Sequence, residues 1–179
     1  MLRITIPARE QWDEGLEEFV STKEKTLQLE HSLVSLSKWE SKWCKPFLHS
    51  DKTSEEILDY IKCMTLTQNV PPDLYNMLSA KNIKDIDDYI NAPMTATTFS
   101  DDMTSKKNKE IVTSELVYYW MVAYNIPFEC QKWHLNRLLT LVRVCNVKNA
   151  PPKKQNKKDL ARNYAAMNAA RRRQLNTKG

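Results

Sequence analysis

The sequence predicts a mainly α fold: a compact helical domain with a small N-terminal two-stranded β-ribbon and a basic C-terminal helical arm. Three observations lead there. Between residues 33 and 145, apolar residues recur at helical spacing in one segment after another, as they do in helices with one buried face. The chain holds only two glycines, Gly15 and Gly179, too few for the many tight turns of a sheet-rich fold. Charge is partitioned along the chain. Residues 148–179 carry ten Lys/Arg against one acid, Asp159, or +9; the whole chain is +5, so residues 1–147 carry −4.

Leu2, Ile4 and Ile6 alternate with polar residues up to Pro7, the period of a half-buried strand. Leu27 and Leu29 alternate within residues 25–31 and predict a second strand. The two are expected to pair as a ribbon lying on helices, with residues 12–20 as the connection, because a two-stranded ribbon is marginal alone. Leu36, Trp39 and Trp43 then predict a helix over 33–43, stopped near Pro46. Thr53 with Glu56 forms a capping box in front of one apolar stripe, Ile57, Tyr60, Ile61 and Met64. Pro71-Pro72 opens a short helix carrying Leu74, Met77 and Leu78. Ile83, Ile86 and Ile90 mark another, ended by Pro93.

Residues 91–109 lack a period and read as a long exposed loop. Residues 110–124 are apolar almost all round from Leu116 onward, which predicts a central helix. In 128–145, Leu135, Leu138, Leu139, Val142 and Cys145 face one way and Lys132, Asn136, Thr140 and Arg143 the other. These two helices are expected to pair antiparallel at the centre of the body. The prolines and lysines after Asn149 read as a solvated linker. Beyond it, Leu160, Tyr164 and Met167 share one face of a helix over 157–175. The expected organisation is a helical body over 1–148, a linker over 149–156 and a basic helical or disordered tail over 157–179.

Glycine scarcity excludes Walker-type phosphate loops, dinucleotide fingerprints and nucleophile elbows, all of which need glycine at fixed offsets. No run of about 18 apolar residues predicts a membrane span, and Met1–Pro7 lacks the apolar region of a signal peptide. A cytosolic chain is therefore expected. Cys44, Cys63, Cys130 and Cys145 are widely spaced and read as free thiols, mostly buried. Cys130 and His134 are four apart, so a shared helix would put them on one face, as half a metal site or as packing; packing is the expectation. A nucleophile among Cys130 and Cys145 served by His134 is the one catalytic constellation the residues allow. The expectation is that there is no catalytic, cofactor or metal site. The adjacent pairs Glu55/Glu56, Asp87/Asp88 and Asp101/Asp102 read as solvated charge, since neighbours on a helix do not face each other.

Tryptophans on an exposed face anchor protein interfaces, and Trp39, Trp43 and Trp133 are the candidate anchors. Lys38, Lys42 and Lys45 beside the first two hint at a base-stacking groove, a weaker pattern. Arg171, Arg172 and Arg173 are the candidate contacts in the tail. They suit docking on acidic protein or a salt-sensitive grip on phosphates.

Several blocks together resemble small proteins encoded in the structural-gene region of long-tailed bacteriophages. They are Leu29–Trp43, Cys63–Asn69, Pro93–Phe99, Ile126–Leu141 and Asn168–Gly179. The closest type is the tail assembly chaperone. That resemblance implies a helical, non-catalytic protein made in the host cytoplasm during infection, which coats the tape measure protein and recruits tail tube subunits. Self-association is expected with it. It implies no residue-level motif. Many such chaperones have a frameshifted longer form, for which the codons of Pro151–Lys154 and Lys157-Lys158 are the place to look. The competing expectation is a nucleic-acid-associated phage protein, acting at packaging or the head–tail junction through the basic tail.

Overall fold

A computed structural model describes residues 1–13, 18–99, 110–150 and 157–175, with the backbone alone over 9–13, 18–22 and 157–160. Strands β1 (Leu2–Ile6) and β4 (Lys25–Leu29) pair antiparallel, Leu2 opposite Leu29 and Ile4 opposite Leu27. Period-two alternation puts Ile4, Ile6, Leu27 and Leu29 inside and Arg3, Thr5 and Thr26 outside, the ribbon expected from the sequence. Its connection is not a plain loop. Arg9–Asp13 (β2) and Glu18–Thr22 (β3) form a second antiparallel hairpin.

Six α-helices occur among the described residues: α1 (Leu33–Trp43), α2 (Ser54–Met64), α3 (Ala80–Asn91), α4 (Ser114–Ala123), α5 (Leu135–Asn149) and α6 (Lys157–Leu175). The fold is mainly α with a small N-terminal ribbon. α1 starts on a Ser32–Ser35 capping box and stops at Cys44, which takes the left-handed conformation at φ 51° and so ends the hydrogen-bond ladder. α2 starts on the Thr53–Glu56 capping box. Pro72–Met77 is a 3-10 turn rather than an α-helix.

The helix at the centre is α1. Leu33, Leu36 and Trp39 are fully buried, and α2, α4 and the 3-10 turn Phe128–Lys132 all pack on it. This corrects the expected α4–α5 pair. α4 buries Val117 and Met121 but exposes Tyr119 and Val122, so an all-round apolar sequence here has an open face. The segment 128–145 is also not one helix. Trp133 is extended, and His134 pairs with Ser32 as an isolated β-bridge, fixed by the Leu135 amide donating to the His31 carbonyl at 2.7 Å. That bridge starts α5 beside the start of α1. A second bridge, Leu29 to Thr65, ties the ribbon to the end of α2.

The chain divides into a unit Met1–Cys145 and a unit Asn146–Gly179. α5 runs on through Asn149, into the stretch expected as linker; the rest of that stretch from 151, the tail end from 176, the Asp101/Asp102 pair and most of the expected 91–109 loop lie outside the described residues. Among the described residues no helix is long and apolar enough to cross a membrane.

Candidate functional site

The bridge at His134 brings together side chains far apart in the chain. The rings of His31 and His134 meet edge to face at 5.1 Å. His31 Nδ1 shares a 2.6 Å hydrogen bond with the Tyr60 hydroxyl. His134 Nε2 donates to the Tyr89 carbonyl at 3.0 Å, and its Nδ1 accepts the Asn136 amide at 3.3 Å. The Tyr89 hydroxyl donates to Glu30 Oε1 at 2.7 Å, and the Met1 ammonium lies 2.9 Å from Glu30 Oε2. Burial raises both tyrosine hydroxyls, with the Glu30 charge adding at Tyr89.

This cluster is structural. Both nitrogens of His134 are committed, so neither is free to activate a cysteine. The extended backbone at Trp133 separates His134 from the 3-10 turn that buries Cys130, and the two do not share a helix face. Among the described residues no group of three His, Cys, Asp or Glu side chains could hold a metal.

Burial lowers His31 from 6.5 to about 3, and the neighbouring His134 adds to it; burial lowers His134 as well. A folded pKa below the unfolded one means that only the unfolded chain binds these protons as pH falls. Stability is therefore present above about pH 6.5 and drains away below it. His31 alone accounts for about 2 kcal/mol lost by pH 5. Denaturant midpoints at pH 7 and pH 5 check this: His31→Gln should shrink the difference, and a wild-type midpoint equal at both pH values would contradict it.

The expected tryptophan anchors are not brought to one surface. Trp39 is fully buried and its indole N–H donates to the Glu56 carbonyl at 2.8 Å. It is a core residue with nothing to offer a partner, which corrects its reading as an interface anchor. Trp43 is half-buried, and its indole donates to Asp59 Oδ2 at 2.9 Å. Trp133 is half-buried under the Arg137 guanidinium, 4.1 Å from its ring centre. Arg171, Arg172 and Arg173 are exposed on α6 in the second unit. Nor is there a stacking platform at Trp39 and Trp43. Lys42 pairs with Asp59 at 2.5 Å and Lys45 pairs with Glu56, so both cations are taken up by α2.

The surface that sequence reading missed lies between α2, the 3-10 turn 72–77 and α3. Ile57, Leu58, Tyr75, Leu78 and Ile83 line a hollow of about 410 Å³. A second, of about 360 Å³, shares Ile57 and Ile83 and runs on past Ile61 and Ile86 to Ile90. Ile57 is 43% exposed and Ile83 36%, although both belong to the apolar stripes of their helices. Those stripes are wider than their packing partners cover, and the uncovered edges face each other. The charged residues that line the trough are one lysine and one acid, Lys84 and Asp87. An open apolar trough between two helices suits the apolar face of a third helix, gripped at i, i+3 or i+4 and i+7.

Comparison with protein-family models, curated proteins and solved structures finds no match for this chain.

Proposed function

We propose that this chain is a non-catalytic protein-binding module of the tail assembly chaperone kind. It acts in the host cytoplasm, holds apolar helix faces of the phage tape measure protein and recruits tail tube subunits. The α2–α3 groove carries this reading. A long amphipathic helix must be kept from aggregating through its apolar stripe, and a shallow trough of isoleucine and leucine covers such a stripe without demanding one sequence. The committed nitrogens of His134 support the non-catalytic part, since that imidazole is not free to act as a base toward Cys130 or Cys145. The resemblance of the five sequence blocks supplies the phage setting.

Co-expression with the tape measure protein of the same phage tests it. The wild-type chain should keep that protein soluble and co-purify with it. Ile57→Asp combined with Ile83→Asp should lower the recovered complex by about tenfold or more, because each places a charge against the buried apolar face. A wild-type chain that leaves the tape measure protein insoluble and unbound overturns the reading.

The exposed arginines of α6 favour a second reading, a polyanion contact through the tail. It predicts duplex DNA binding at about 50 mM salt that fades as salt rises and vanishes when residues 150–179 are removed. No binding at that salt would contradict it.

A further inference from the structure

The N-terminal ribbon has an outer half with little to hold it. β2 follows β1 after Pro7 and Ala8, and β3 leads into β4 through Lys23 and Glu24, so β2 and β3 prolong the ribbon. β1 and β4 bury Ile4, Ile6, Leu27 and Leu29, whereas β2 and β3 pack chiefly on each other. Among the described residues no third strand pairs with either of them. A two-stranded hairpin is marginal in water, and three or more strands are needed for independent stability. Each strand also leaves one edge of backbone donors and acceptors open to another strand.

Charge picks the edge and its occupant. Within the hairpin Asp13 stands directly opposite Glu18, and Arg9 stands opposite Thr22. Like charges directly opposite each other are destabilising, and Arg9, the one cation of the two strands, is at the far end from this pair. A second copy supplies what is missing. With β2 antiparallel to β2 of that copy and Gln11 opposite its Gln11, Arg9 falls opposite Asp13 of the second copy and Asp13 opposite its Arg9. Each Asp13–Glu18 pair then has an arginine in its row. Glu10 falls opposite Trp12 of the second copy, so no acid meets an acid, and this is the register that pairs all five residues of the strand. The two Trp12 positions are diagonal neighbours, about 7–8 Å apart and within reach of aromatic side chains. The edge of β3 offers no such match. Paired on itself about Val20, it sets Glu18 opposite Thr22 and brings no cation to the acids.

We propose that two copies of this protein join edge to edge through β2, antiparallel about Gln11, as a four-stranded sheet in the order β3–β2–β2–β3. Backbone hydrogen bonds supply the affinity, and the two Arg9–Asp13 rows set the register. The contact uses the same surface on both copies, so it closes as a dimer. It makes no use of the α2–α3 trough; it goes beyond the proposed function, and either can fail without the other.

Charge exchange on the full chain, followed by sedimentation velocity in reducing buffer, tests this. Wild type should pass from monomer to dimer as concentration rises. Arg9→Asp sets acid against acid in both rows, and Asp13→Arg sets cation against cation. Each variant alone should dimerise at least about tenfold more weakly, since two rows turn from attraction to repulsion. Mixed in equal amounts, the two should form a one-to-one heterodimer about as tight as the wild-type dimer, because each row again holds one cation and one acid. Asp13→Arg also guards against a melted hairpin: it puts a cation opposite Glu18 in its own copy, so its weaker association comes from the edge. A wild type that stays monomeric, single variants that associate like wild type, or a mixture no tighter than its components each overturns the proposal. The first is the result expected if the charges of β2 keep its edge from pairing. A monomeric wild type whose hold on the tail tube protein is lost in the Asp13→Arg chain gives the edge to that protein instead, and overturns the proposal as well.

Discussion

Glu40→Ala should destabilise the protein by about 2–5 kcal/mol, a large share of the 5–15 kcal/mol available to a domain. Glu40 is buried on α1, and its two carboxylate oxygens serve two separate segments. Oε1 accepts the Phe47 amide at 2.8 Å and Oε2 accepts the Ser114 amide at 2.7 Å. Ser114 opens α4, so the carboxylate also sits at the positive end of that helix. Truncation strands two buried N–H groups, each costing about 1–3 kcal/mol. Gln at this position keeps one acceptor and turns the other into a donor facing a donor, so Glu40→Gln should fall between alanine and wild type. Chemical denaturation of the three proteins checks the order. Equal midpoints would show that Glu40 does not join α1 to α4.

Trp39→Ala should cost about 3–5 kcal/mol, the usual range for emptying a buried aromatic site. The ring is fully buried, stands edge-on to Phe47 at 5.0 Å and lies 6.3 Å from the Trp43 ring. Its indole N–H adds a tie to the backbone of α2. Trp39→Phe keeps an aromatic ring but loses that tie and part of the filled volume, so about 1–3 kcal/mol is expected. A Trp39→Ala protein as stable as wild type, with weakened binding to a partner, would restore Trp39 as a surface anchor.

The local signals in this chain were strong, and the long-range ones were silent. Ile4 and Ile6 alternate as strand residues and pair with Leu27 and Leu29 as expected. Thr53 and Glu56 cap α2 as their spacing demands. The β2–β3 hairpin was not legible because Arg9–Asp13 is polar and no Asn-Gly or Asp-Gly turn marks its tip. Helix α4 shows why an apolar run does not locate itself: periodicity tells which residues are apolar and not which neighbours cover them. Trp39 and Trp43 look alike in sequence, yet one turn of α1 separates a core residue from a half-exposed one. The break between Cys130 and His134 depends on Ser32, and the His31–His134 contact exists only once β4 and α5 have met. The groove was hidden for the same reason. Ile57 and Ile83 read as core on their own helices, and their exposure depends on how far α2 and α3 stand apart.

Amide hydrogen exchange on the full chain, measured free and in complex with the tape measure protein, tests most directly whether the α2–α3 trough holds a helix. Slowed exchange should concentrate in residues 54–64 and 80–91, with α4 and its open Tyr119–Val122 face unchanged. A complex that protects α4 and leaves α2 and α3 exchanging as before would contradict the account.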